Sequence, residues 1–412
     1  MRGVQEVREV QEVREGTSGD AVEGIIPKFV AEPASAEDVS ETVAWASREK
    51  LSLLTRGAGT KMAWGPPVEA IDVLLSTSRL NKVVAHRHGD LTATIEAGAT
   101  LADVNRALGV HRQWIPLDPY SGDRATIGGI VATNDSGPRR HRYGAPRDLI
   151  IGIDFARGDG RLAKGGGIVV KNVAGYDLPR VMTGSFGSLG VIVSATFKLY
   201  PLTAASRTLV VDLKDPRELG ALAGTILGSH LTPTALEFQI PPLRLMVRFE
   251  SIEASVEQQS VNAVKLITDA GFNGRVATRD EENELWARHG RPVADATAVK
   301  VSTLPTELPA ALTLIDKLAG GAHYTAAGRA GLGVFVLQLT GTRDIQKRVI
   351  TGLRESLPAG RGSAVLMSGS RELRTELAVW GPIGDALPLM KAVKQQFDPN
   401  QILNPGRGPG GI

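Results

Sequence analysis

The sequence predicts an α+β protein in two unlike parts. A glycine-rich first half of short strands and turns is followed by a second half with an antiparallel sheet covered by helices on one face. Three observations predict this. Small residues and glycines crowd positions 125–137 and again 184–192, where ordinary strands or helices would place bulk. Clean period-two alternation marks 91–97 and 191–199 as half-buried strands. Beyond Ala205, strand-like runs interleave with long helical patterns.

Bulk composition sets the outer bounds. At 412 residues the chain has room for two or three domains with a sizeable core. Lys and Arg total 47 against 44 Asp and Glu, and a net +3 is too small to imply a nucleic-acid or membrane surface. No cysteine is present, which excludes disulfides, zinc–thiolate sites and iron–sulfur clusters held by this chain. No run of about 18 apolar residues exists and no signal peptide is visible, so the expected location is cytoplasmic.

In chain order, Val-Gln-Glu-Val-Arg-Glu occurs twice in succession over 4–15, with valine at every third position, a poor match to a helical face. Residues 1–22 are therefore expected to be a charged, fraying extension. Ser35 caps a helix over 36–48, with Asp38 three positions on and Val39 and Val43 on one face. An apolar strand over 51–54 runs into Arg56-Gly57-Ala58-Gly59-Thr60-Lys61, a glycine turn followed by hydroxyl and basic groups that suits a phosphate cradle. It is neither a Rossmann fingerprint, since Met62 replaces the third glycine and prolines follow, nor a P-loop. Strands are expected at 71–75 and 91–97, and Thr100 with Asp103 opens a short helix to about Leu108. After Pro116-Leu-Asp-Pro119 comes the small-residue run, then a strand over 149–156 and a Gly-Asp-Gly hairpin turn. In the second half, strands are expected at 209–213, 234–240, 243–249, 299–304, 334–340 and 364–367, with helices at 215–228, 254–270, 306–319 and 342–357.

The two glycine clusters carry the chemistry. Gly128, Gly129 and Gly137 have no Cβ, and Thr126, Thr133, Asn134 and Ser136 set short polar groups beside their amides. Gly184-Ser185-Phe-Gly187-Ser-Leu-Gly190-Val191-Ile192 repeats the theme. Both clusters together read as the wall of one extended dinucleotide, FAD. The seven histidines are scattered, and His86 and His88 have no third histidine near them in sequence, so no metal site is expected. Trp45 and Trp286 sit in helical patterns and read as core. No G-x-S-x-G elbow occurs, and a cysteine nucleophile is impossible.

Taken together, Arg56-Gly-Ala-Gly-Thr60, Thr126-Ile127-Gly-Gly129, the 184–192 run, Phe397-Asp-Pro399 and Ile402-Leu-Asn404-Pro-Gly406 resemble the FAD-linked oxidase family of the vanillyl-alcohol-oxidase (PCMH) type. The motifs stand in the family's order and span nearly the whole chain. Lys171-Asn-Val-Ala-Gly-Tyr-Asp177 and the length are most similar to the branch formed by FAD-binding subunits of bacterial glycolate oxidase. The resemblance implies a two-lobed PCMH-type FAD-binding domain over 23–204, its lobes meeting near residue 86. It further implies a ferredoxin-like α/β cap over 205–375 and a C-terminal segment, 376–412, returning to the FAD domain. Arg56 to Lys61 would wrap the pyrophosphate with backbone N–H groups. Pro119, Thr126 to Gly129 and Thr133 to Gly137 would line the phosphate–ribityl side. Gly184, Ser185, Gly187 and Gly190 would pass the adenosine half, with Val191 or Ile192 reading adenine and Asn404 approaching from the tail. Lys171 is a candidate for the flavin's pyrimidine edge, with a solvated strand-end lysine as the alternative. His289 and Arg291, after a Leu-Trp segment similar to one in the family's cap, are candidates for the substrate side; an ordinary helix end is the alternative.

Departures from the family matter as much. Thr60 stands where members with covalent flavin often carry histidine, so noncovalent FAD is expected. Stand-alone 2-hydroxy-acid dehydrogenases of the family carry a His-x-Gly-Asp-Gly-Asn-x-His run in the cap. The nearest stretch here, His323-Tyr-Thr-Ala-Ala-Gly-Arg-Ala-Gly331, lacks the acid and the second histidine. The resemblance then implies an FAD-carrying subunit of a multi-subunit glycolate dehydrogenase, with a related flavin subunit holding the 2-hydroxy-acid site and an iron–sulfur subunit taking electrons onward. Any approach to the inner face of a membrane would come through those partners. The alternatives are a self-sufficient FAD-dependent 2-hydroxy-acid dehydrogenase and a non-catalytic module that keeps the fold.

Overall fold

A computed structural model describes residues 13–169, 175–357 and 360–412. The chain divides into two compact units: one formed by residues up to 136 with 145–202 and 383–412, the other by 137–144 with 203–382. The short excursion of 137–144 into the second unit has no counterpart in the sequence reading, and the tail rejoins the first unit at 383 rather than 376.

The first unit holds two sheets. In one, β1 (Val13–Glu15), β2 (Phe29–Ala31), β3 (Leu53–Arg56) and β4 (Val73–Ser76) lie in the order β1-β2-β4-β3, with β2, β4 and β3 parallel. β4 is buried along its whole length, as expected of a parallel strand covered on both faces. The helix Ala36–Arg48 packs here through Val39 and Val43, both fully buried, and Ser35 Oγ caps it by accepting Asp38 N–H at 3.1 Å. The expected fraying extension needs correcting over its last part. Val13–Glu15 pairs antiparallel with β2, and Arg14 donates two bonds, 2.7 and 2.8 Å, to a buried Asp20. Only Val13 of the repeat's valines falls in this three-residue strand, so their spacing does not bear on its pairing.

The second sheet joins β5 (Val83–Arg87), β6 (Thr92–Glu96), β8 (Ile150–Ala156), β9 (Leu162–Gly166) and β10 (Val191–Lys198) antiparallel in the order β5-β6-β10-β8-β9; β7 (Gln113–Trp114) pairs separately with β11 (Tyr200–Pro201). Thr100 caps the helix Leu101–Gly109 as its sequence predicts. The Thr-Ile-Gly-Gly run is not open loop but the start of a short helix, Ile127–Thr133, capped by Thr126. Its apolar side, Ile127, Ile130 and Val131, is fully buried against this sheet's core.

The second unit is an eight-stranded, wholly antiparallel sheet, in the order β15-β12-β14-β13-β17-β18-β16-β19. The strands are β12 (Ala205–Asp212), β13 (Ala235–Ile240), β14 (Arg244–Ser251), β15 (Gly274–Val276), β16 (Thr297–Ser302), β17 (Tyr324–Arg329), β18 (Val334–Leu339) and β19 (Ser363–Ser368). Alternate residues such as Leu209, Val211, Leu236, Phe238, Val299, Phe335 and Leu366 form one core with the helices Pro216–Leu227, Glu253–Asp269, Leu308–Ala319 and Arg343–Ser356. The intervening positions make the opposite face polar, with Thr208, Glu237, Arg248, Glu250, Arg329 and Gln338 on it. β17, built largely of Thr, Ala and Gly, escapes the sequence reading, and the helix Arg279–Arg288, which the sequence showed only as a helical pattern around Trp286, is polar nearly all round.

Candidate functional site

One cavity in the first unit gathers most of the glycine-rich motifs. Its wall includes Gly57, Ala58, Gly59, Thr60 and Lys61 from the loop after β3; Thr126, Gly128, Gly129 and Thr133 from the short helix; Gly187, Gly190 and Ile192 from the second cluster; and Asn404 from the tail. Close approach dictates the composition. A Cβ on Gly57 would lie 2.1 Å from Thr126 Oγ1, and one on Gly187, whose φ is +71°, would lie 2.3 Å from Asn404 Nδ2.

The three glycine motifs differ in what their amides have left to offer. N–H groups of Ile127 and Gly128 already donate to Ala99 and Ala97 carbonyls, and Gly129 N–H donates to Thr126 Oγ1. Gly184, Ser185 and Phe186 N–H groups are likewise spent on Val131, Met182 and Ala132 carbonyls. By contrast, no protein acceptor among the described residues takes the N–H groups of residues 57–61. These five amides turn round Gly59 at φ +74° and form the part of the wall suited to an anion. In the other two motifs the amides of Ile127, Gly128, Gly129, Gly184, Ser185 and Phe186 are spent, and the glycines there serve close approach.

The tail is stitched into this wall. Asn404 N–H donates to Leu53 O at 2.8 Å, its Oδ1 accepts Thr55 N–H at 3.0 Å, and its Nδ2 donates to Phe186 O at 2.6 Å. One asparagine thus joins the first loop to the second glycine cluster. Below it, the buried Lys394 ammonium donates to Ser188 O, Leu403 O and Asp398, at 2.8, 2.9 and 2.6 Å. Arg407, also on the wall, donates to Pro66 O and Trp64 O, both at 2.6 Å, and so fixes the loop after Lys61.

Several sequence candidates lie off the wall. The Arg56 guanidinium turns toward Asp20, 3.7 Å away. Ile127 and Val191 are core residues, and Asn134 ends the short helix in a left-handed turn with Oδ1 on Arg147 N–H. Pro119, Gly184 and Ser185 are not among the lining residues, and Gly137 belongs to the second unit, where its carbonyl accepts from Arg329. Lys171 falls outside the described residues. Conversely, Leu54, Thr55, Met62, Trp64, Thr77, Ala97, Ala132, Phe186 and Arg407 line the cavity without having been singled out. The signal for Thr55, Met62, Trp64 and Phe186 was adjacency to the glycine motifs; Thr77, Ala97 and Arg407 are brought in only by the fold.

Orphaned polar atoms test the fit of FAD. Thr55 Oγ1 and Lys61 Nζ, both of wall residues, are buried without an aligned hydrogen-bond partner among the described residues. With the free amides of 57–61 they leave donors for phosphate and ring acceptors along a wall rich in glycine. The residues fit the group.

In the second unit, His289 Nε2 lies 2.8 Å from Glu237 Oε2, and both side chains are buried. His289 Nδ1, Glu237 Oε1 and His141 Nδ1 have no hydrogen-bond partner among the described residues. Arg291 is a surface residue whose carbonyl accepts from Gln338 at 2.8 Å. Trp286 is half-buried, its Nε1–H donating to Thr208 Oγ1 at 2.8 Å with the Arg248 guanidinium over its ring. On the first unit, folding brings His111 against His88, with rings stacked 4.4 Å apart, a neighbour that sequence spacing did not show. No group of residues able to hold a metal ion occurs among the described residues, and none of their helices is long and apolar enough to cross a membrane.

Comparison with known proteins agrees with this geometry. Residues 27–166 match the family described as FAD binding domain, and 383–407 match the C-terminal domain of FAD linked oxidases. D-lactate dehydrogenase of Archaeoglobus fulgidus is 30% identical over 92% of this chain and 90% of its own length. Glycolate oxidase subunit GlcD of Bacillus subtilis is 28% identical over 93% of this chain and 89% of its own. Among solved structures, 4-ethylphenol oxidase from Gulosibacter chungangensis superposes with a TM-score of 0.72 at 16% identity, over 96% of this chain and 91% of its own. A PCMH-type flavoprotein architecture, α+β in class, is what the fold and cavity define. The chain belongs to the FAD-linked oxidase family and is an FAD-dependent oxidoreductase.

Proposed function

We propose that this chain is the FAD-carrying subunit of a multi-subunit dehydrogenase that oxidises glycolate, a small 2-hydroxy acid, to glyoxylate. Glycolate gives up two electrons and two protons, the flavin accepts the electrons, and a separate iron–sulfur subunit carries them on. The free amides of 57–60 would hold the pyrophosphate, Thr126 to Gly129 and Thr133 would press on the phosphate–ribityl part, and Ile192 with Asn404 would border the adenosine half. Thr60 offers no attachment point, so the flavin is bound noncovalently.

The observation that carries this reading is the β17–β18 hairpin. The resemblance places the metal- and substrate-binding histidines of self-sufficient 2-hydroxy-acid dehydrogenases there. This chain instead has Arg329, Gly331 and Gly333 on and after β17. Full-length similarity to a glycolate oxidase subunit supports the same reading. The test is co-purification of tagged chain from its natural host, read by absorbance and mass spectrometry; FAD with a cysteine-rich partner and a related flavin subunit is the expected result.

One observation favours a self-sufficient enzyme. In the Glu237–His289 pair a carboxylate orients an imidazole and leaves its second nitrogen unpartnered, an arrangement used by general bases. That reading requires the isolated, flavin-loaded chain to bleach anaerobically with glycolate or D-lactate. The favoured one requires it to stay oxidised.

A further inference from the structure

Lys61 is a buried cation on the cavity wall whose surroundings match no simple phosphate clamp. Its side chain is 7% exposed, and Nζ stands 3.2 Å from Asp135 Oδ2, whose side chain is 5% exposed. At that distance the charges attract, yet neither atom completes an aligned hydrogen bond among the described residues. Asp135 is itself fixed, its Oδ1 accepting Tyr120 N–H at 3.1 Å. Trp64, also on the wall, lies under the ammonium with its ring centroid 5.7 Å from Nζ, and the Tyr120 ring lies 6.4 Å from that of Trp64. The Tyr120 hydroxyl is buried and unpartnered among the described residues.

The electrostatics separate this corner from the amide loop beside it. Paired with Asp135, the ammonium brings no net charge, and a phosphate dianion here would meet a carboxylate as well as a cation. Five free amides of the same loop already suit the anion. Two aromatic side chains and a compensated dipole suit a neutral, flat, acceptor-rich ring instead. As acceptors adenine offers ring nitrogens only, whereas the flavin ring offers two carbonyls as well as ring nitrogens.

We propose that Lys61, held in place by Asp135, donates a hydrogen bond to an acceptor on the flavin ring of the bound FAD, with Asp135 as its positioning residue. The assignment rests on the FAD reading of the cavity and moves Lys61 from the pyrophosphate, where the sequence placed it, to the ring. Burial holds the Lys61 ammonium below its ordinary pKa, and Asp135 opposes that shift without cancelling it while fixing where the donor points.

The test is calorimetric titration of the full chain, freed of flavin, with FAD and separately with ADP. ADP carries adenine, ribose and both phosphates but no flavin ring. In K61M, FAD binding is expected to weaken about ten- to a hundredfold, the worth of one charge-assisted hydrogen bond, while ADP binding is unchanged. D135N should show the same selectivity with a smaller loss, and K61R should recover part of it. K61M leaves Asp135 buried without its cation, so K61M/D135N, which removes both charges, serves as the folding-safe variant and must reproduce the selective loss. Equal weakening of FAD and ADP would put Lys61 on a phosphate or on adenine and overturn the proposal; so would unchanged FAD binding in K61M. A wild-type chain that takes up no FAD would instead overturn the reading of the cavity itself.

Discussion

Gly57 is the residue at which the cavity's geometry is least forgiving. Its missing side chain is what lets Thr126 Oγ1 come within 2.1 Å of where a Cβ would sit. G57A is therefore expected to force the loop and the short helix apart, at about 1–3 kcal/mol. FAD retained through gel filtration should fall at least tenfold, and G57A/T126A, which removes the opposing oxygen, should recover part of it. A second residue-scale prediction concerns Glu250. Burial works to raise its carboxyl, but the guanidinium groups of Arg139, 3.0 Å away, and of Arg248, 3.2 Å away, outweigh burial and hold it below the ordinary value of 4.5. A carboxyl depressed in the folded state contributes stability that is complete above its unfolded value and is lost as pH falls through the folded one. Thermal melts of wild type should therefore drop as pH falls below about 4.5, and E250Q should flatten that dependence. At this scale the sequence read the glycines well, because a missing Cβ is visible in one letter. It could not show which amides were already spent, since the acceptors, such as Ala97 and Val131, come from other elements.

Among the elements, the C-terminal segment does the most to complete the cavity. Lys394 and Asp398, four residues apart, close the end of the helix Leu387–Phe397, and the lysine reaches Ser188 in the second glycine cluster. K394M would leave Asp398 buried without its cation, a loss of about 3–5 kcal/mol in line with other broken buried pairs. Its melting temperature should fall, with FAD released earlier than in wild type; unchanged melting would contradict the role given to this pair. N404A removes the bonds to Thr55 N–H and Phe186 O, and FAD should bind about tenfold more weakly, with the overall fold kept. The second unit's four main helices were legible from periodicity, each found within about two residues of its expected ends. β17 was not, because Thr-Ala-Ala-Gly carries little strand preference and is held by β13 and β18 on either side. The short helix after Thr126 received no element from the sequence for a related reason: two glycines argue against a helix until tertiary packing of Ile127, Ile130 and Val131 overrides them.

For the whole molecule, motifs in family order gave the cofactor before any geometry did. What spacing could not supply was the crossing of 137–144 into the second unit, or the pairing of Arg139 with Glu250 that secures it there. Those depend on contacts 111 residues apart in the chain, which no local pattern encodes. The account as a whole depends on a noncovalent dinucleotide seated against the unpaired amides of residues 57–61. Acid precipitation of the purified full chain tests that most directly, with FAD quantified in the supernatant and in the pellet. The prediction is one FAD per chain, all of it released to the supernatant. Flavin remaining with the pellet would contradict noncovalent binding, and a colourless chain that takes up no added FAD, alone or with its co-purifying partners, would contradict the cavity's assignment.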